Sequence, residues 1–147
     1  MAYITNTDIE KRLGTATYVQ LADDNGDGAA DAPVVDEARL GAEGEVNGYL
    51  ASRFQVPIDT TLHPELLGTL ASMALDIAEY RLRCRRPPVP SDVIDKRDAA
   101  VAWLRGVAEG RIELPSATEL ASNTAQGILA AKKGEARVLS HQELREF

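Results

Sequence analysis

The chain has 147 residues, 44% hydrophobic and 27% charged, the balance of one ordinary soluble domain. With 16 Lys and Arg against 23 Asp and Glu, its net charge is −7. That excludes a general nucleic-acid binder, whose surface must be basic to neutralise phosphates. A lone cysteine, Cys84, excludes an internal disulfide framework and a thiolate zinc cluster, and predicts synthesis in a reducing cytoplasm.

The predicted elements are helices separated by strong punctuation. Thr7-Asp8-Ile9-Glu10 has the form of a capping box, in which the Thr hydroxyl accepts from the third helical N–H and Glu10 reaches back. Gly14 follows where a left-handed C′ residue belongs, so the first helix is about two turns long. Residues 15–22 supply Tyr18, Val19 and Leu21 without a long period, which predicts a second short turn. Residues 23–31 form a loop by composition. Asp31 is placed to cap the next helix, and Pro33 suits its first turn, where an N–H would be unpaired anyway.

The third helix is predicted to run to about Phe54, with Val35, Ala38, Ala42, Val46, Tyr49 and Leu50 as one buried stripe. Gly41, Gly44 and Gly48 weaken it by up to ~1 kcal/mol each relative to Ala, and their spacing suits the close approach of a neighbouring helix. Residues 55–58 are extended, because the residue before Pro57 avoids the helical region. The next helix opens near Pro64 and continues to about Arg85. Leu66, Leu70, Met73, Ile77, Tyr80 and Cys84 form one stripe; Leu67, Ala71, Ala74, Ala78 and Leu82 form a second. Apolar residues covering over half the circumference make this the central helix of a bundle. The prolines at 87, 88 and 90 end it. Ser91 or Asp92 caps a last long helix carrying Val93, Ile94, Val101, Leu104, Val107 and Ala108, with Gly110 as its C′ residue and residues 111–115 as a short extended exit. The fold class expected is mainly α: a small helical bundle over residues 1–115, with a C-terminal arm over 116–147 that orders against another chain. Within that arm, residues 140–143 are placed to cap a short final helix.

No targeting signal is expected at the start, and the longest apolar-rich stretch, residues 66–78, is broken by Gly68, Thr69, Ser72 and Asp76. It falls short of the ~20 apolar residues a bilayer demands, so no membrane partner is expected.

Two features carry possible chemistry. Residues 23–31 match the first half of an EF-hand loop, with Asp23, Asn25, Asp27 and Asp31 at the ligand positions and Gly26 at the sharp turn. Alternate oxygens then converge on one point, as Ca²⁺ requires. The bidentate Glu is missing, since Val34 stands at its place, and an Asx-rich turn bonding its own backbone is the favoured account. The second feature is the arginine cluster Arg81, Arg83, Arg85 and Arg86. Cations complement a helix C-terminus; as a functional site they would meet an acidic partner surface. Residues 1–50 hold ten acids and three bases, whereas residues 81–105 hold seven bases and three acids. Solvated helix faces account for this dipole; the sharper alternative is a head-to-tail contact between copies.

No catalytic constellation is visible, so no enzyme and no resident cofactor are expected. His63 and His141 are isolated, and Cys84 on the buried stripe predicts a packed thiol. Tyr80 and Trp103 read as core anchors.

Several segments in order resemble the Mu-like phage head–tail connector family. They are the start Met-Ala-Tyr-Ile-Thr with a short helix; the run 21–28 (LADDNGDG) leading to Asp31; the element 45–54 (EVNGYLASRF) followed by Val56-Pro57; the segment 74–82 (ALDIAEYRL); and the ending 110–114 (GRIEL). The resemblance covers residues 1 to about 115, and GYLASRF with the following Val-Pro is its most specific part. It implies a non-enzymatic neck adaptor, made in the host cytoplasm and built into the virion neck as a ring, expected to be a dodecamer. Its implied partners are copies of itself, the portal protein and a tail-side neck or stopper protein, with no sequence-specific nucleic acid. Segment 81–105 is then expected to face a neighbour or the portal. A calcium-responsive helical binding module using the 23–31 loop is the alternative function.

Overall fold

A computed structural model describes residues 2–114 and 117, and among them there are five helices and no sheet. The N-terminal segment enters extended, with Tyr3 and Ile4 buried. Helix α1 (Asn6–Leu13) starts two residues earlier than Thr7 would place it. Thr5 is the cap: its Oγ1 accepts from the Asp8 N–H, and the Asp8 carboxylate accepts from the Thr5 N–H at 2.8 Å. Two reciprocal boxes are possible in this sequence, and the one using Asp8 forms, with Ile4 and Ile9 both in the core. Gly14, at φ +79°, adopts the left-handed region that side chains disfavour, closing α1 and opening α2 (Thr15–Ala22). The second segment is thus a full eight-residue helix, anchored by Leu21 and Ala22.

Helix α3 (Ala32–Leu50) has Asp31 at its N-cap, but through the backbone only. The Asp31 carbonyl accepts from Val34 and Val35, while its carboxylate turns back into the preceding loop. The helix ends at Leu50, short of Phe54; a tight turn then carries Phe54 into the core. The predicted stripe is buried, apart from half-buried Tyr49.

Helix α4 (Pro64–Cys84) packs against each of the other four helices and is the central element. Leu66, Leu70, Ala74, Ile77, Ala78 and Leu82 are buried along it. Cys84 departs from expectation: it is exposed. It is the last residue of α4, where the helix leaves its neighbours, and periodicity alone cannot register that a stripe has outrun its packing partners. Helix α5 (Ser91–Ala108) is capped by neither Ser91 nor Asp92. Pro90 is the N-cap, its carbonyl accepting from Val93 and Ile94. Gly110, at φ +76°, ends α5 as predicted, with Arg111 N–H donating to the Gly106 carbonyl at 2.8 Å. The exit then folds back, so that a Cβ on Gly106 would meet Ile112 at 2.9 Å, and Leu114 is buried.

These elements make a small, mainly α bundle. The predicted arm over 116–147, including the capping site at 140–143 and His141, lies outside the described residues apart from Ala117, which packs on the core.

Candidate functional site

The two charged features of the sequence come together. The carboxylates at the EF-hand-like positions face their own loop. Asp23 accepts from the N–H groups of Gly26 (2.6 Å) and Gly28 (3.0 Å), Asn25 from Asp27 and Asp27 from Ala29. Asp31 accepts from the Asp24 N–H and the Asn25 amide. The bonds from Asn25 and Asp27 are Asx-type, each reaching the N–H two residues on, and those of Asp23 and Asp31 span the loop and tie its two ends together. Among the described residues, no group of three or more His, Cys, Asp or Glu side chains is arranged to hold a metal ion.

Asp24, which alternates out of that set, faces the arginines. Arg85 pairs with its carboxylate at 2.6 Å and also donates to the Leu21 carbonyl at 2.7 Å. Arg86 donates to the Asp23 carbonyl and lies 3.7 Å from Asp24. Arg81 pairs with Glu45 of α3 at 3.0 Å, and Arg83 with Glu79 one turn back at 3.5 Å. All four predicted interface arginines therefore meet acids or carbonyls of their own chain. The acidic half of the sequence and the basic segment 81–105 are folded against each other, which accounts for the dipole within a single copy. These pairs are mostly part-exposed, and such pairs are worth about 0–1 kcal/mol.

Beside this edge lies an open cleft of about 350 Å³ at the junction of α3, α4 and α5, lined by Val34, Ala38, Glu45, Tyr80, Arg97 and Cys84 among others. Arg97 reaches Glu45 at 3.1 Å and stacks 5.4 Å from the Tyr80 ring centre. Burial disfavours the Arg97 charge, but the bond to Asp98 and the nearby Glu45 outweigh it and raise its pKa. The Tyr80 phenol is pushed up, first by its hydrogen bond with Cys84 and then by repulsion from the Cys84 sulfur in its ionised form. Tyr80 and Trp103 are half-buried at the edge of the core, not inside it. His63 sits at the N-cap of α4 as a helix-entry residue, 3.8 Å from Glu65.

A different node, which composition does not reveal, is at the N-terminus. Glu43, on the face of α3 beside the apolar stripe, is only 8% exposed. One carboxylate oxygen accepts from the backbone N–H groups of Tyr3 (2.7 Å) and Ile4 (3.1 Å), and the other lies 3.5 Å from Arg39. The Tyr3 hydroxyl donates to Asn47 at 2.7 Å and accepts from the Ile58 N–H at 2.9 Å. Burial raises the Tyr3 pKa, so the phenol stays protonated and able to donate. An acid interrupting a buried stripe is the signal that marks Glu43 in the sequence. On the α4 side, Arg12 of α1 pairs with Asp76 and approaches Glu79 at 3.5 Å. Beside these bonds lies a groove of about 510 Å³, lined by Tyr3, Ile4, Leu67, Ala71 and Leu75 together with the charged Asp8, Lys11 and Arg12.

No helix among the described residues is long and apolar enough to cross a membrane. No curated protein matches the chain. A family model described as bacteriophage Mu, Gp36 matches residues 3–131, running past residue 115 into the segment that the sequence resemblance leaves out. That match spans all five helices and well over half of the sequence, and the chain belongs to the bacteriophage Mu Gp36 family.

Proposed function

We propose that the chain is a structural component of a Mu-like phage particle: a head–tail connector that forms a ring in the virion neck, between the portal and the tail-side proteins, and catalyses no reaction. The family match over residues 3–131 is the observation that carries this reading. Two physical features support it. The described residues form a rigid bundle whose polar groups are largely engaged in holding its own edges together, as a repeated building block requires. The net charge of −7 also suits a lumen through which DNA must slide, because an acidic lining offers phosphates no counter-charge. A ring gains strength by multiplying modest contacts around an axis.

The test is the mass and image of the assembled species, taken on the purified full chain and on phage particles. Annular particles of uniform copy number, and necks that stain for this polypeptide, are expected. Particles whose necks contain none of it would overturn the reading, as would turnover of a substrate by the purified chain.

A further inference from the structure

Tyr3 and Ile4 precede the first helix, yet both are buried. Among the described residues no backbone-to-backbone hydrogen bond holds them. Side chains do so instead. One Glu43 oxygen accepts from both N–H groups, at 2.7 and 3.1 Å. Glu43 lies beside Arg39, whose Nε donates to the Asn6 side chain at 3.0 Å, so the hold extends to the first residue of α1. The Tyr3 hydroxyl uses both of its capacities: it donates to Asn47 at 2.7 Å and accepts from the Ile58 N–H at 2.9 Å. Ile58 is itself buried and is the root of the turn that leads into α4. Beyond Ile58 that turn is bonded to itself. The Asp59 carboxylate accepts from the Thr61 N–H and hydroxyl, and the Asp59 carbonyl accepts from the Leu62 and His63 N–H groups. Leu62, next to α4, is 72% exposed.

We infer that the N-terminal strap and the 58–63 turn form one conformational latch: they dock and undock together, with the Tyr3 hydroxyl as the joint, while α3, α4 and α5 stay packed. The reason is geometric. When the strap leaves, the buried Ile58 N–H loses its acceptor; when the turn leaves, the buried Tyr3 hydroxyl loses its donor. Either one opening alone leaves a polar group of the other unpaired in the interior, which is costly. Opening both together lets water satisfy each. The three long helices are held by a different set of contacts, the apolar stripes that include Val46, Ile77 and Leu104, and none of the strap's hydrogen bonds reaches α4 or α5. Proteins open in such sub-global units. The latch makes the order of a turn set by residues 55 positions earlier in the chain: holding or withdrawing the N-terminal segment is felt at Ile58 and, through the self-bonded turn, at exposed Leu62. The inference concerns the single chain and does not rest on the connector reading.

Amide hydrogen exchange, followed residue by residue by NMR on the full chain, tests the latch. In the wild type, the Tyr3, Ile4 and Ile58 amides are expected to share one opening equilibrium, with a denaturant dependence shallower than that of Leu104 and Val107 in α5. Glu43→Gln keeps an acceptor oxygen, and Glu43 bonds the strap but not Ile58. It is expected to speed exchange at Ile58 several-fold, by the same factor as at Ile4. Tyr3→Phe is the reciprocal variant: it keeps the ring and removes no bond made by Ile4. It is expected to speed exchange at Ile4 several-fold and at Ile58, whose acceptor it deletes, by at least roughly tenfold. Unchanged exchange at Ile58 in Glu43→Gln, or at Ile4 in Tyr3→Phe, would mean that strap and turn open separately, and overturns the inference. So does a wild-type denaturant dependence at these three amides as steep as at Leu104 and Val107, since they would then be released only when the whole bundle unfolds.

Discussion

The arginine edge and the N-terminal edge solve opposite problems. At the arginine edge, Arg81, Arg85, Arg86 and Arg97 meet Glu45 and Asp24 in pairs that are largely open to solvent. There the charges that stand out in the sequence are neutralised within the chain. At the N-terminal edge, a single buried carboxylate, Glu43, fixes Tyr3 and Ile4, and those residues build one side of a groove that is left open. A dense charge cluster is thus not by itself a docking surface. The energetic weights follow burial: screened pairs contribute little, whereas a buried acceptor with two N–H partners is costly to remove.

That contrast can be broken by substitution. The largest effect is expected from Glu43→Ala, which leaves two buried N–H groups without an acceptor and should cost about 2–4 kcal/mol, read by urea unfolding. Glu43→Gln keeps an acceptor oxygen and should cost less than half as much. If the alanine variant is as stable as the wild type, the N-terminal node does not hold the fold. Next, Glu45→Ala releases both Arg81 and Arg97 and should cost about 1 kcal/mol. A loss as large as that of Glu43→Ala would erase the distinction between the edges. Thr5→Ala should cost about 1 kcal/mol through the lost cap.

The cap also sets a pH dependence. The hydrogen bonds from Thr5 hold the Asp8 carboxyl below its ordinary pKa of 3.8, and Asn6, with Arg39, does the same for Asp36. A folded-state pKa below the unfolded value means that this stabilisation is present above about pH 4 and is lost as pH falls through the folded value. Asp76 has the opposite sign, because burial raises its pKa against the opposing pull of Arg12. Its contribution is fully present below its unfolded pKa and lost as pH rises through the folded one. Thermal melts between about pH 3 and 7 should show a net acid loss that Asp8→Ala flattens.

The smallest effects belong to the arginine edge. Arg86→Ala should lower stability by under about 1 kcal/mol, and by less still in high salt. Calcium at millimolar concentration should leave the melting temperature unchanged, because among the described residues no three acidic side chains are grouped to hold a metal ion. A rise of several degrees would restore the cation-binding alternative through linkage to the folded state.

The sequence by itself determined the mainly helical class, the three long helices, the central place of α4, the breaks at Gly14, at the prolines after α4 and at Gly110, and most of the buried positions, because periodicity, proline and glycine act through local backbone geometry. It also carried a resemblance whose Mu-like phage part the family match supports. Tertiary structure decided the rest. Thr5 prevailed over Thr7 as a cap; Cys84, at the end of its stripe, emerged into solvent. Arginines readable as a partner surface found Asp24 and Glu45, which lie tens of residues away along the chain. Those outcomes depend on which elements meet in space, and Coulombic pairing and burial act through distance, which the linear order of residues does not contain.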